Sequence, residues 1–336
     1  MKKSETNKIP WKFSVRTDLA IEARELAGEK SKGDELDGVA VKTEETENYL
    51  ITHVEILNEM GSKSMGKPIG NYITIEADKL KENDVICHEE IMKAVSQNIA
   101  KLAKLDKDSS VLVVGLGNWN ITPDALGPKV ISKVLVTRHL QGELPEEIEN
   151  HVRSVAAISP GVMGITGIET GEIIKGVTER LKPDVIIAID ALAARKSSRI
   201  NATIQMSDTG VSPGAGVGNK RMSLNQETLG VPVIALGVPT VVDAATLVND
   251  TMDRMLAEMI AQTPKSSPFY EMLESMDSDE KYQLITEILN PYAGNMFVTP
   301  KEVDAVIDRL ANIIANSINI GLHPGITMED INRYTF

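Results

Sequence analysis

The sequence predicts an α/β protein of the phosphorylase/hydrolase-like kind: a mostly parallel, twisted sheet covered by helices on both faces, with additional strands and C-terminal helices. Three continuous runs rich in β-branched residues predict the sheet, at 109–118 (SSVLVVGLGN), 184–191 (DVIIAIDA) and 231–239 (VPVIALGVP). Such runs are typical of strands that are buried on both faces, as parallel strands are. Helices are expected around them, at 124–137, 145–154 and 170–181.

The rest of the chain adds strands before this core and helices after it. Alternating apolar residues predict strands at 50–60 and 71–78, and apolar residues at helical spacing predict a helix at 89–105. The portion from about 246 to 336 has a helical pattern. Residues 21–48 show little apolar periodicity, so we expect them to belong to a mobile N-terminal leader.

The composition argues against several classes of function. No apolar run reaches the roughly 18 residues that span a bilayer, so we expect no membrane association. A formal net charge of -13 repels phosphates at long range, so we expect no direct contact with nucleic acid. The single cysteine, Cys87, excludes an intramolecular disulfide and a cysteine-rich zinc site.

Two aspartates stand at the ends of predicted strands. Asp124 follows the run 109–118 after a short turn, and Asp190 ends the letters VIIAID. Ligands of open parallel sheets bind outside the carboxyl ends of the strands, so both carboxylates are expected in one crevice. Two close carboxyl groups can share a proton, one activating water and the other protonating a leaving group. The same pair can instead hold a divalent metal, and a helix N-cap is the structural alternative for Asp124.

A glycine-rich segment lies further along the chain, at 207–221 (SDTGVSPGAGVGNKR). Gly214, Gly216 and Gly218 permit a close approach that side chains would prevent. The segment is therefore a candidate substrate-binding loop, whose N–H groups meet an extended peptide or an oxyanion. A flexible surface loop is the alternative.

Arg195, Lys196 and Arg199 form a basic cluster soon after Asp190. They are either a solvated basic face or a subsite for acidic side chains of a substrate. Other catalytic signatures are missing from the sequence. GLGN at 115–118 lacks the last glycine of a dinucleotide fingerprint, the histidines show no metal spacing, and there is no G-x-S-x-G nucleophile elbow.

Three motifs, in this order, resemble one family: GLGNWNITPDALGP, AIDALAARKSSRIN and SDTGVSPGAGVGNKR. They are similar to the germination protease of spore-forming bacteria, and the match covers nearly the whole chain. The resemblance implies an aspartic endopeptidase, distantly similar to hydrogenase-maturation peptidases, with Asp124 and Asp190 as the catalytic pair. It also implies that the substrates are small acid-soluble spore proteins, and that the enzyme is a homotetramer in the cytoplasm of the spore core.

The same resemblance gives the N-terminus a role. It implies a zymogen that removes a short propeptide by self-cleavage, at a sequence similar to its substrate sites (Thr-Glu, then Phe or Ile, Ala, Ser and Glu). Residues 17–22 (TDLAIE) fall in the same register. We therefore expect 1–18 to be a propeptide, cut between Asp18 and Leu19, and 19–336 to be a single peptidase domain.

Two alternative functions stay open, a hydrogenase-maturation-like metallopeptidase and a small-ligand-binding α/β protein. The metallopeptidases bind their metal through two carboxylates and a histidine, and none of the histidines here aligns with that ligand. We therefore expect no metal and no other cofactor. The substrate-like site at 17–22 favours the self-processing peptidase, because a binding protein has no use for such a site.

Overall fold

The computed structural model describes residues 17–31, 36–106, 108–149, 151–214, 221–268, 270–271, 284–285, 287–289 and 296–330. Its sheet consists of β1 (Val39–Glu45), β2 (Leu50–Ile56), β3 (Gly70–Glu76), β4 (Val111–Gly115), β5 (Val155–Ile158), β6 (Val185–Ala194), β7 (Thr203–Ser207), β8 (Val233–Asp243) and β9 (Phe297–Val298). Its helices include α1 (Ala20–Ser31), α2 (Glu59–Met65), α3 (Val85–Ala103), α4 (Leu126–Ile131), α5 (Glu146–Glu149), α6 (Met163–Thr166), α7 (Thr170–Leu181), α8 (Gln226–Leu229), α9 (Ala244–Gln262) and α10 (Val303–Leu322).

The sheet has a parallel half and an antiparallel half. Its strand order is β1-β2-β3-β7-β8-β6-β4-β5, with β9 against the end of β8. The strands β8, β6, β4 and β5 pair in parallel, whereas β1, β2, β3 and β7 continue the sheet by antiparallel pairing. The predicted α/β class is confirmed. The three apolar runs are the adjacent parallel strands β4, β6 and β8, and the additional strands at 50–60 and 71–78 are β2 and β3.

Helices cover both faces of the parallel half. On one face α3, α4 and α10 pack over a large core that includes Val113 and Ile187. On the other face α7 and α8 cover a smaller cluster that includes Leu112 and Ile186. Successive residues of a strand point to opposite faces. Asp190 is an even number of positions from Ile186 on β6, so it points to the side of α7 and α8.

The expectation of a mobile leader at 21–48 is wrong for most of that segment, which forms α1 and β1. The helix α1 packs through Ala20, Ala23 and Ala27 against a cluster that contains Tyr72 of β3. Its contact stripe consists of small side chains between charged ones. The sequence therefore carries little of the hydrophobic periodicity that marks a packed helix, although the helix is packed.

The C-terminal portion contains α9 and α10, in agreement with its helical pattern. The helix α10 is largely buried against α3 and α4, and supplies core residues such as Leu310 and Ile314. Part of the segment between these two helices lies outside the described residues. Within the described part of the chain, no helix is long and apolar enough to cross a membrane.

Candidate active site

The sequence predicts Asp190 at the end of its strand. In the structure Asp190 instead lies inside β6, because the strand continues to Ala194. The neighbouring strand β4 stops at Gly115, which is paired with Ile189. Asp190 is thus the first residue of β6 that extends past the end of β4. It lines the crevice that opens there.

Asp190, Gly237 and Gln205 form a row across three adjacent strands. Asp190 of β6 pairs with Gly237 of β8 in parallel register, and Gln205 of β7 pairs with the same glycine in antiparallel register. Residues paired in this way project from the same face, and neighbouring strands lie about 4.8 Å apart. Because the central residue has no side chain, the side chain of Leu192 can lie over it: a Cβ at Gly237 would be 2.6 Å from Leu192 Cγ.

Asp124 reaches the same crevice from the turn between β4 and α4. It ends a 3₁₀ turn, Thr122–Asp124, and its carbonyl oxygen accepts a hydrogen bond from the N–H of Asn118 at 3.1 Å. The hydroxyl of Thr240 on β8 donates to the carbonyl of Pro123 at 2.7 Å. The turn is therefore fixed by its own backbone and by the adjacent strand.

Asp124 is not the cap of the helix that follows it. The helix α4 begins at Leu126, its N-cap residue is Ala125, and no side chain caps it. A Cβ at Gly117, whose φ is +112°, would lie 2.0 Å from the carbonyl oxygen of Asp124. Glycine therefore allows the turn to fold back tightly on the end of β4.

The two aspartates line a crevice of about 910 Å³. Burial raises the pKa of Asp190 well above its ordinary value, and the negative charges of Asp124 and Asp18 raise it further. Burial also raises the pKa of Asp124, against the opposing effects of the Asn118 N–H and the positive charge of Arg221. Two carboxyl groups with raised pKa values can hold one proton between them, which is the state that an acid/base pair requires.

Thr17 and Asp18, next to the expected cleavage point, line this crevice as well. The N–H of Asp18 donates to the carbonyl of Ala193 at 3.2 Å, and its carboxylate accepts from the N–H of Ala193 at 2.9 Å. The carbonyl oxygen of Asp18 accepts from the ammonium of Lys67 at 2.9 Å and from the side-chain amide of Gln205 at 3.0 Å. The segment is therefore held by the backbone of β6 and by the side chains of Lys67 and Gln205.

The basic cluster after β6 binds the carboxylate of Glu22, which has no solvent exposure. The backbone N–H groups of Arg195 and Lys196 donate to it at 2.7 and 2.9 Å. The guanidinium of Arg199 lies 3.3 Å from it. Two of the three residues that we predicted as a subsite for acidic side chains thus contact this carboxylate through their backbone, and the third through its side chain.

Arg199 is held in place by further carboxylates of the chain. Its guanidinium contacts Glu25 at 2.7 Å and Glu76 at 2.8 Å. Although burial lowers the pKa of Arg199, the bonds to these two glutamates hold it above its ordinary value. The arginine therefore presents a fixed positive charge to Glu22.

Of the three glycines predicted to bind substrate, Gly214 lines the crevice, and Gly216 and Gly218 lie outside the described residues. Lys67 and Gln205 are site residues that the sequence did not predict. They come from the loop before β3 and from β7, and no motif marks either of them. The antiparallel pairing of β7 with β8 brings Gln205 to the site, and a sequence does not display that pairing.

In the described part of the chain, no group of three or more His, Cys, Asp and Glu side chains could hold a metal ion. Asp124 and Asp190 are therefore two carboxylates without a third protein ligand among these residues. The donor set does not fit a metal that is held by two carboxylates and a histidine.

Comparison with known proteins identifies the family. The family model described as germination protease matches residues 20–267 and 257–335. Germination proteases of Clostridium tetani, Caldanaerobacter subterraneus and Bacillus thuringiensis are 56%, 54% and 45% identical to the chain. Each match covers 96% of this chain, and it covers 99%, 98% and 98% of the respective relative.

Among solved structures, a nickel–iron hydrogenase maturation protease from Thermococcus kodakarensis matches 66% of this chain and 98% of its own, with 15% identity and a TM-score of 0.32. A match of that quality does not bear on the chemistry of the crevice. The sequence relationships do bear on it, because they show that the α/β protein described above is a protease. The chain belongs to the germination protease family.

Proposed function

We propose that this protein is an aspartic-type endopeptidase that cuts after an acidic residue, first in its own chain and then in small acid-soluble spore proteins during germination. Asp124 and Asp190 act as the catalytic pair. One carboxylate takes a proton from the attacking water, and the partner gives a proton to the leaving nitrogen. The raised pKa values of both groups support a shared proton, and the pair titrates as one unit.

One observation carries this proposal, the position of the Asp18–Leu19 bond beside the pair. Asp18 is close enough for its charge to raise the pKa of Asp190, and both residues line one crevice. In the proposal, residues 1–18 are the propeptide that this cut releases. A ligand-binding protein would have no reason to keep a substrate-like segment of its own against two buried carboxyl groups.

The contacts of the segment support a double acidic specificity. The carboxylate of Asp18 meets the N–H of Ala193, and the carboxylate of Glu22 meets Arg199 and two backbone N–H groups. Substrates would then share an acidic residue before the cut bond and another four positions later. The substrate-binding groups of the proposal are Arg195, Lys196, Arg199, Gly214, Gly216 and Gly218. The enzyme would act without a cofactor, as a homotetramer in the cytoplasm of the spore core.

The test replaces Asp124 and Asp190 separately by Asn and follows the N-terminus by mass spectrometry. The wild type should lose residues 1–18, and both variants should keep them while melting at a temperature close to that of the wild type. Asp78→Asn, on an exposed turn, is the control and should mature normally. The proposal fails if either catalytic variant matures at the wild-type rate, or if the Asp18–Leu19 bond is intact in the matured protein.

A further inference from the structure

Two side chains outside the aspartate pair converge on one atom of the segment in the crevice. Lys67 Nζ and Gln205 Nε2 both donate to the carbonyl oxygen of Asp18, at 2.9 and 3.0 Å. That oxygen belongs to the peptide bond proposed to be cut. It is the atom that gains negative charge when water adds to the carbonyl carbon, and donors at about 2.7–3.1 Å are those that stabilise such an oxyanion.

We propose that Lys67 and Gln205 form the oxyanion site of this protease, and that Gln205 also fixes the register of the chain across the cut bond. The inference rests on the proposed function, because it takes Asp18–Leu19 as the bond that the aspartate pair hydrolyses. It assigns a catalytic part to a cation and an amide that no motif in the sequence suggests.

The amide of Gln205 touches the main chain on both sides of Leu19. Its Nε2 donates to the carbonyl of Asp18, and its Oε1 accepts from the N–H of Ala20. Both contacts are to backbone groups, which every peptide carries. Gln205 can therefore hold the enzyme's own segment and any substrate in the same register, while side-chain selectivity is left to other groups.

The backbone on either side of Lys67 is fixed. Gly66 ends α2 in the left-handed conformation, with φ of 63°. The carbonyl of Lys67 accepts from the hydroxyl of Ser62 at 2.8 Å, and the carbonyl of Pro68 accepts from the hydroxyl of Tyr72 at 2.8 Å. The loop thus presents the ammonium at one place in the crevice, as a preorganised donor requires.

The ammonium of Lys67 has lost much of its contact with water. Burial lowers the pKa of Lys67, and the carboxylates of Asp18 and Glu22 act in the opposite direction. A poorly hydrated cation interacts more strongly with a new negative charge than a hydrated one does. Because the charge on the carbonyl oxygen appears only after water has added, these donors stabilise the intermediate more than the bound peptide.

The hydrolysis balances with these groups in place. Water adds to the carbonyl carbon of Asp18, the aspartate pair removes one proton, and the resulting oxyanion is held by Lys67 and Gln205, which keep their protons. Collapse re-forms the carbonyl and breaks the bond to the nitrogen of Leu19. The pair delivers its proton to that nitrogen, so one water is consumed for each bond cut.

The probe for a test is a synthetic peptide of residues 14–25 (SVRTDLAIEARE) with a fluorophore and a quencher, given to the matured protein. Lys67→Met keeps the length of the side chain and should lower kcat about 100-fold or more, with KM within about threefold, as loss of an oxyanion donor does. Gln205→Met should lower kcat and also raise KM, because it loses both backbone contacts. Lys63→Met, at an exposed position of α2, should behave like the wild type.

A chemical rescue separates a catalytic lysine from a structural one. Lys67→Cys treated with 2-bromoethylamine carries a thioether analogue of lysine with a more acidic amine; the native Cys87 is buried. This protein should regain kcat with little change in KM, whereas untreated Lys67→Cys should be as slow as Lys67→Met. Full activity of Lys67→Met, or no recovery of kcat after the alkylation, would overturn the oxyanion assignment alone. Activity in Asp190→Asn would overturn the proposed function as well.

Discussion

The carboxylate of Glu22 lies 3.3 Å from the guanidinium of Arg199, in a place closed to solvent. Two backbone N–H groups of the following β6 segment point at the same carboxylate. The site therefore detects both the charge and the position of an acidic side chain. In the proposed function this contact lies four residues beyond the bond that is cut, so it offers a way to test recognition without touching the catalytic groups.

Glu22→Gln should slow removal of the leader about ten- to a hundredfold, because the four donors around this position then face a neutral amide. Mass spectrometry of samples taken during maturation gives the rate. The same replacement in the probe peptide should raise KM for the matured wild type. Glu47→Gln, at an exposed position before β2, is the control. Normal rates in both experiments would rule out this site as a specificity element.

Gly117→Ala should abolish activity while the protein still folds. The added Cβ would lie 2.0 Å from the carbonyl oxygen of Asp124, at a φ of +112° that alanine rarely adopts. Relief of that contact displaces the turn that carries the aspartate, and the strain should cost about 1–3 kcal/mol of unfolding free energy. Urea unfolding and peptide cleavage measure the two effects. Gly164→Ala has open space around it and should change neither by much.

Arg221→Gln should move the alkaline limb of the kcat/KM profile to higher pH. The positive charge of Arg221 lowers the pKa of both Asp124 and Asp190, so its removal lets the pair keep its proton to higher pH. Cleavage of the probe peptide in a series of buffers gives the profile. Arg221→Lys keeps the charge and should shift the limb less. A limb that moves to lower pH in Arg221→Gln would contradict the expectation.

Lowering the pH should destabilise the protein through His323. Burial lowers its pKa to about 4, and its Nδ1 accepts from the N–H of Arg153 at 3.2 Å. In the unfolded chain the ordinary pKa is about 6.5, so the unfolded state takes up the proton first. The contribution of neutral His323 to the free energy of unfolding is complete above pH 6.5. It is lost as the pH falls towards 4, and amounts to about 3 kcal/mol in all. Urea unfolding across this range should show the loss in the wild type and a smaller slope in His323→Gln.

Chelators should leave the protease active. Asp124 and Asp190 find no third metal ligand among the described residues, and the proposed mechanism needs only water and a shared proton. Dialysis against EDTA, followed by the peptide assay, should give the wild-type rate. Loss of activity that returns on adding one divalent metal, but not another, would instead favour a metallopeptidase.

The sequence alone predicts the parts of the site that lie in contiguous motifs. Asp124 and Asp190 can be predicted as site residues because they follow or end apolar runs that form strands. Asp18 and Glu22 can be predicted because residues 17–22 resemble the substrate sites of the family. Gln205 could not be found in this way. It lies on an antiparallel strand, and the residue paired with it is a glycine from another part of the chain.

The extent of β6 could not be predicted either. The letters VIIAID suggest a strand that ends at Asp190, but β8 continues beside it and provides pairing partners as far as Ala194. The end of a strand is set by its neighbours as well as by its own residues. The helix α1 was missed for a related reason. The face that packs consists of alanines, and they can be recognised as a packed face only when the residues that cover them are known.

Residues 19–22, which lie on the far side of the proposed cut, make contacts of their own with the rest of the chain. Cleavage at Asp18–Leu19 would leave this stretch attached to α1, so that Glu22 would stay tethered near Arg199 and Ala20 near Gln205. A product that cannot diffuse away competes at a high effective concentration with every incoming substrate. In the proposed function, the new N-terminus would thus be a tethered inhibitor of the enzyme that its own cleavage activates, and the rate of turnover would depend on how readily that end leaves its place.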